Sequence, residues 1–228
     1  MTIHFCTDLF RNWVDRISGM SSSASTPTGS ARKPRAPSDA TRASLTPETW
    51  IEAATEVLVD QGIDHVRVDL LAQALGVTRG SFYWHFKDRE DLLRRVLQAW
   101  REMATENLTV RLESATEDPM EQLRGVLSLP FRGRAAARAA RIELAIRAWA
   151  RRDQMARFAV DEADASRIGY IAQLFSALGF PVVEARSRAF LLYSYVVSES
   201  LMPTLSTKAQ KDERRRFAER LFTQKLGL

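Results

Sequence analysis

The sequence predicts an all-α fold: an N-terminal three-helix unit built on a helix-turn-helix, followed by a larger helical region. Three observations predict it. Residues 70–86, LLAQALGVTRGSFYWHF, read as two short helices joined by a tight turn. Beyond about Glu117 the apolar residues keep the helical period, with few β-branched runs and no period-2 stretch. Gly62, Gly76, Gly179, Pro181 and Pro203 fall where one periodic segment gives way to the next.

The first helix should begin at Thr46, a residue able to cap it, with Pro47 at a position where the missing N–H costs little. Trp50, Ala53, Ala54, Val57 and Leu58 form its apolar stripe and Gly62 ends it. Leu71, Ala72, Leu75 and Val77 supply the contacts of the next helix and its turn, with Ala72 small where two helices cross. Gly76 suits the left-handed residue that closes that helix, and Thr78 is placed to cap the following one. Phe82 and Phe86, four residues apart, give the second motif helix one buried face.

With those rings turned inward, Arg79, Gly80, Ser81, Tyr83, Trp84 and His85 remain on the outer faces, and no acidic residue stands between Asp69 and Asp88. A DNA major groove admits one helix and offers donors, acceptors and thymine methyls to such side chains. The alternative is a helical hairpin in which Tyr83 and Trp84 merely pack.

Asp88 should cap a fourth helix that Leu92, Leu93, Val96, Trp100 and Met103 carry well beyond the small unit. Further helices are expected over residues 119–129, 135–152, 154–178, 182–201 and 208–226. In the second of these Ile142, Ala145, Ile146 and Trp149 share a face, while Glu143 and Arg147 form an i,i+4 pair on another, so Glu143 is expected to be a solvated ion-pair partner. Ala189, Phe190, Leu192, Tyr193, Val196 and Val197 make a wide apolar surface, and Phe217, Leu221 and Phe222 make another. Two such surfaces exceed what a monomer leaves in water, which implies a homodimer; packing into the monomer's own core is the competing reading. Two reading helices about one DNA turn apart would then prefer an inverted repeat.

Composition narrows the function classes. Of 228 residues 45% are hydrophobic, enough for a core, and no apolar run approaches the roughly 20 residues that span a bilayer. A cytoplasmic setting fits a chain whose one cysteine, Cys6, excludes an intrachain disulfide and a cysteine zinc site. His4, His65 and His85 form no metal constellation, and there is no nucleophile elbow, phosphate-binding glycine loop or zinc-protease motif. No enzyme, cofactor or metal is expected. The net charge of +5 suits a polyanionic partner only weakly, because between residues 41 and 104 Asp and Glu outnumber Lys and Arg.

Three segments result: a disordered extension with a basic arm over 1–44, a DNA-binding domain over 45–92, and a regulatory and dimerisation domain over 93–228. In the extension, Leu9, Phe10, Trp13, Val14 and Ile17 could line a short amphipathic helix, and either this is an added helix or the natural start is Met20. Residues 18–44 are rich in Ser, Thr, Pro and Ala, with Arg32, Lys33 and Arg35 as either a solvated linker or an arm that follows phosphates.

From residue 47 to 100 the chain resembles the N-terminal domain of the TetR family of bacterial transcriptional regulators. The resemblance is carried by Ala53, Ala54, Leu58, Gly62, Leu71 and Ala72, by Leu75, Gly76, Val77, Gly80 and Phe82, and by Tyr83, Phe86, Lys87, Glu90 and Leu92. The string Tyr83, Trp84, His85, Phe86, Lys87 is similar to the tetracycline repressor's own recognition segment. The resemblance implies that Arg79, Gly80, Ser81, Trp84 and His85 approach base edges, while Tyr83, Lys87 and Arg89 grip phosphates. It also implies a DNA-binding role for Thr78 at the helix start. Where the family usually has a Ser or Thr cap, this chain has Arg67, which is expected to contact phosphate or base instead.

By the same resemblance the protein is a repressor that a small molecule releases from a palindromic operator; the alternative is a helical DNA-binding adaptor or activator controlled by a protein partner. The regulatory region is read as enclosing a mainly apolar pocket that suits a hydrophobic effector. Its expected lining is Trp100, Ile142, Ile146 and Trp149, together with Tyr170, Leu174, Phe190 and Tyr193. Removing residues 1–40 should weaken operator binding modestly and flatten its log-log salt dependence by about 0.9 for each phosphate that the arm neutralises. Electrophoretic titrations at four salt concentrations would show it, and an unchanged slope would make the arm a linker.

Overall fold

The computed structural model describes residues 45–202 and 206–225, and the expectations for residues 1–44 lie outside it. Helix α1 spans Pro47–Gln61, a 3₁₀ turn covers Ile63–His65, α2 spans Val68–Ala74, and α3 is a single turn, Arg79–Phe82. Helix α4, Arg89–Arg101, runs through a π-helical turn at Glu102–Glu106 into α5, Asn107–Ala115. Then come α6 at Pro119–Leu127, a 3₁₀ turn at Leu129–Phe131, α7 at Gly133–Ala150, α8 at Gln154–Ala177, α9 at Val182–Leu201 and α10 at Lys208–Thr223. No strand occurs among the described residues.

Local chemistry accounts for most of these boundaries. Pro47 sits in the first turn of α1, and Gly62 stops that helix at φ 85° with its N–H returned to the Leu58 carbonyl. Gly76 turns the chain at φ 70°, in the left-handed region where a Cβ would be strained. Asp88 caps α4 by accepting the Asp91 N–H at 2.8 Å, and Asp153 caps α8 by accepting from Ala156 at 3.0 Å. Thr207 and Gln210 form a reciprocal capping box at the start of α10. Two expected caps are absent: Thr46 and Thr78 occupy cap positions with extended backbone, but neither hydroxyl bonds the following N–H groups.

The expected continuous fourth helix is also altered. Within the π turn each carbonyl reaches one residue further along, so the face that holds Trp100 next presents Thr105, which is buried, and leaves Met103 exposed. Met103 therefore drops out of the apolar stripe assigned to it.

Two hydrophobic cores organise the chain. The first joins α1–α4 to α7 and the first half of α8: Trp50, Leu58, Phe82 and Phe86 lie in one cluster with Ile146, Trp149 and Ala159. The second gathers α5, α6, the far half of α8, α9 and α10 around Leu123, Leu127, Phe175 and Leu192. Helix α8 belongs to both and packs most extensively on α9 and then on α7. The reading unit thus shares a core with α7, and α4 with its π turn is not its only tie to the rest.

Phe82 is fully buried against Trp50, 5.3 Å away edge to face, and Phe86, 5.2 Å away and stacked. Replacing Phe82 by Ala should cost about 3–5 kcal/mol, and the thermal unfolding midpoint followed by circular dichroism should fall accordingly. An unshifted midpoint would mean the ring is not the anchor of the short helix.

Candidate DNA-reading surface and internal cavity

The short helix α3 offers the solvent what its buried rings leave over. Arg79 and Gly80 are exposed, Ser81 and His85 half-buried, and Tyr83 and Trp84 stand out at 54% and 87% exposure. Tyr83 lies edge-on to Phe82 at 5.2 Å, so an anchored ring fixes its position, while nothing comparable covers Trp84. An exposed indole of this size is costly in water and points to a partner surface. Lys87 is exposed, with its backbone N–H held by Asp91 at 3.1 Å and its side chain turned to solvent.

Arg67 and Arg89 are engaged within the chain. Arg67 pairs with Asp69 at 2.9 Å, at the position where a helix cap was expected. The Arg89 guanidinium donates to the carbonyls of Val66 at 2.6 Å and Ile63 at 2.8 Å, which staples the 3₁₀ turn to the start of α4. Both arginines therefore stand where they shape the reading unit, and a phosphate would have to compete for them.

A cavity of about 710 Å³ lies between the reading unit and the rest of the chain. Its apolar walls come from Ile51 of α1, Val96 and Trp100 of α4, Leu112 of α5, Val126 of α6 and Ile142 of α7. Small residues of the first half of α7, among them Ala135, Ala136 and Ala139, leave the space open. The volume falls within the roughly 300–1,000 Å³ typical of small-molecule sites.

One wall of the cavity is a half-buried polar network. Arg167 donates to the Glu143 carboxylate at 3.2 Å, the Tyr193 hydroxyl at 3.1 Å and the Thr105 hydroxyl at 3.1 Å, and lies over the Trp100 ring at 5.3 Å. Arg147 makes a two-point contact with Asp164 at 2.6 and 3.0 Å and also reaches Glu143 at 2.8 Å. The Tyr193 hydroxyl donates to Asp164 at 2.6 Å. Two guanidinium groups and two carboxylates cancel, which is what allows charge to sit here at all. Burial pushes the Tyr193 hydroxyl up to about 12, against Arg167 and with help from Asp164. Burial alone would raise Asp164, but hydrogen bonds from Arg147 and Tyr193 outweigh it and hold the carboxyl below the usual range.

Comparison with known proteins bears on both features. The family model for bacterial regulatory proteins of the tetR family matches residues 51–96, the segment that contains α2, its glycine turn and α3. The transcriptional regulator SrpR of Pseudomonas putida is 42% identical over 67 residues, 29% of this chain and 29% of that protein. Residues 51–96 are thus similar to the TetR-family DNA-binding head. The chain spans about a third of the length of the curated relatives it matches.

Beyond the head the likeness is one of fold. A transcriptional regulator from Rhodococcus sp. Rha1 superposes with a TM-score of 0.62 at 21% identity, covering 78% of this chain and 94% of that one. AibR, solved with isovaleryl coenzyme A and operator DNA, superposes with a TM-score of 0.57 at 17% identity, covering 77% of this chain and 96% of that one. Over that share of the chain the likeness is therefore one of all-helical fold.

The structure divides the expected pocket residues. Trp100, Ile142, Tyr170 and Tyr193 line the cavity. Ile146 and Trp149 share the face of Ile142 but lie further along α7, inside the core that α7 makes with the head, and Leu174 is in the second core. Phe190 is 59% exposed on the outside of α9. Glu143, expected to be solvated, is a half-buried member of the cavity wall.

Sequence reasoning missed Arg167 and the residues of α1 that face the cavity. Arg167 carries little signal in the sequence: Asp164, three residues before it, offers a carboxylate on the same helical face, so it reads as an ordinary ion-paired arginine. The α9 and α10 surface also splits, since Ala189, Leu192, Val196 and Phe222 are buried within the chain while Phe190, Leu191, Phe217 and Leu221 are exposed.

Asp164, with its lowered folded-state pKa, contributes stability at pH values above its unfolded pKa that is lost as pH falls through the folded one. Asp164→Asn should be less stable than the parent at pH 7 by about 1.5–3 kcal/mol, and the gap should close below about pH 4. Urea unfolding at stepped pH measures this, and a gap independent of pH would show that the carboxylate's charge is not what the network uses.

Proposed function

We propose that the protein is a sequence-specific DNA-binding transcriptional regulator, acting as a repressor that a small hydrophobic effector releases from an inverted-repeat operator. The observation that carries this is the division of labour between buried and exposed side chains in α3 and the turn that follows it, residues 79–86. Phe82 and Phe86 are buried to fix α3, while Arg79, Gly80, Tyr83 and Trp84 are left exposed beside one another. In this reading residues 45–92 are the DNA-binding domain and residues 93–228 the regulatory and dimerisation domain. Arg79, Gly80, Ser81, Trp84 and His85 meet base edges, and Tyr83 and Lys87 meet phosphates, the usual split between specifying and positioning contacts.

Gly80 supports the assignment. A Cβ there would meet the Thr78 hydroxyl at 3.7 Å, an ordinary contact, so the fold itself does not require glycine at this position. Absence of a side chain at an exposed helix start serves close approach to a partner.

A homodimer follows from the second half. Phe190 and Leu191 of α9 and Phe217 and Leu221 of α10 are each more than half exposed in the single chain. Pairing α9 and α10 with their counterparts in a second copy would bury these side chains in a four-helix bundle and set two reading helices on adjacent turns of DNA. The cavity favours a small molecule over a protein partner as the controlling signal, since it is concave, mainly apolar and of effector size. The role in this reading is regulatory, carried out on DNA in the cytoplasm, and not catalytic.

The test is selection of bound sequences from a random duplex pool at near-physiological salt. Recovery of an inverted repeat supports the reading; enrichment of nothing sinks it. On the recovered operator, Arg79→Ala should lose about 10-fold or more in affinity, in line with about 1–3 kcal/mol for a base contact. Gly80→Ala should weaken binding while leaving the thermal midpoint unchanged or slightly raised, because Ala is the better helix former.

A further inference from the structure

The charges around the cavity are unevenly satisfied. Arg167 is taken up by Glu143, and Arg138 is paired with Glu52 at 3.7 Å and with Glu56. Arg111 and Arg132 also line the cavity, both exposed, and among the described residues neither holds a carboxylate. Arg111 donates to the Asn107 carbonyl at 3.2 Å and Arg132 to the Ser128 hydroxyl at 3.3 Å, contacts that leave most of each guanidinium fork unused. On the acidic side, Glu52 has Arg138, and Glu48 lies in the first turn of α1, where the Thr46 hydroxyl and the helix's own backbone stabilise its charge. The deep polar wall is self-neutralised, so it calls for no counter-charge. What is left over is cationic and forked, the geometry that receives a carboxylate or phosphate.

We propose that the cavity takes an amphipathic anion, an apolar chain ending in a carboxylate or phosphate, with the chain against Ile51, Leu112 and Ile142 and the head group held by Arg111 and Arg132. This rests on the reading of the cavity as the effector site. It also assigns a route from effector to DNA. Arg138 is the cavity end of a row of ion pairs between α7 and the head: Arg138 with Glu52 and Glu56, Arg141 with Asp60 at 2.6 Å, and Arg152 with Asp64 at 3.7 Å. The exposed Arg138–Glu52 pair is weak on its own, so an anion held by Arg111 and Arg132 in the same cavity competes with Glu52 for Arg138. Releasing Arg138 loosens α1, the helix whose Trp50 anchors Phe82 of the reading helix.

Calorimetric titration of the full chain with dodecanoate, dodecyl phosphate, 1-dodecanol and dodecyltrimethylammonium, all below their aggregation limits, separates charge from chain. Either or both anions should bind at least 10-fold tighter than the alcohol, the better of the two naming the head group, and the cation should bind most weakly. Arg111→Gln with Arg132→Gln should bring the anions down to the affinity of the alcohol, with Arg132→Ser alone giving a partial loss and the thermal midpoint of each variant confirming the fold.

Equal affinity for anions and alcohol, tightest binding of the cation, no binding of any probe, or an anion preference that survives the double substitution would overturn the proposal. Repeating the titrations with bound operator keeps the two readings apart. An anion that binds and leaves operator occupancy unchanged overturns the effector reading alone. Release by the alcohol or the cation, but not by the anions, overturns the anion site alone.

Discussion

The ring of Phe82 bears the functional arrangement of the head. It lies fully buried on a helix of one turn, too short to persist through its own hydrogen bonds, so Trp50 of α1 and Phe86 behind it hold the helix in place. Everything exposed on α3 takes its position from that contact. Tyr83 leans on Phe82 directly, and Arg95 lies over Phe86 at 4.9 Å, so the aromatic cluster continues into α4. The turn at Gly76 delivers the chain to this cluster at the angle that leaves Arg79 and Trp84 outside.

From that anchor the structure extends by shared cores. The α1 helix that holds Phe82 also packs against α7, and its Ile51, Glu52 and Thr55 form part of the cavity wall. One helix thus touches the reading element on one side and the cavity on another. This adjacency shortens the physical path between the cavity and the exposed side chains around α3 to the width of α1, in addition to the path along α4. Coupling of this kind needs only that the occupant contact the two arrangements of α1 unequally.

Much of the architecture was legible in the sequence because its signals are local. Helix starts at Asp88, Asp153 and Thr207 and stops at Gly62 and Gly179 follow from capping and positive φ, which nearest neighbours decide. The buried faces of α1 and α3 were legible from spacing alone. What escaped were the features set by distant partners. Ile142, Ile146 and Trp149 share one face, but only the level at which α7 crosses α1 decides which of them meets a cavity and which a core. Arg89 resembles a surface cation until the carbonyls of Val66 and Ile63, more than twenty residues away, are brought to it. Glu143 and Arg147 were a correct pair in a misjudged setting, because Asp164, Arg167 and Tyr193 arrive from α8 and α9.

The π turn at Glu102–Glu106 was invisible to periodicity, since it is a change of period, and it sits where the link helix passes the cavity. Trp100 and Thr105 share a face although five residues separate them, where an α-helix would allow four. The link therefore contains one residue more than a regular helix needs to present the same faces at both ends. That surplus is slack in a part otherwise built as a rod. A chain shortened by one residue here could close the turn into ordinary helix without rotating the N-terminal helices against the rest, whereas the same deletion one turn earlier would swing every later side chain by about 100°.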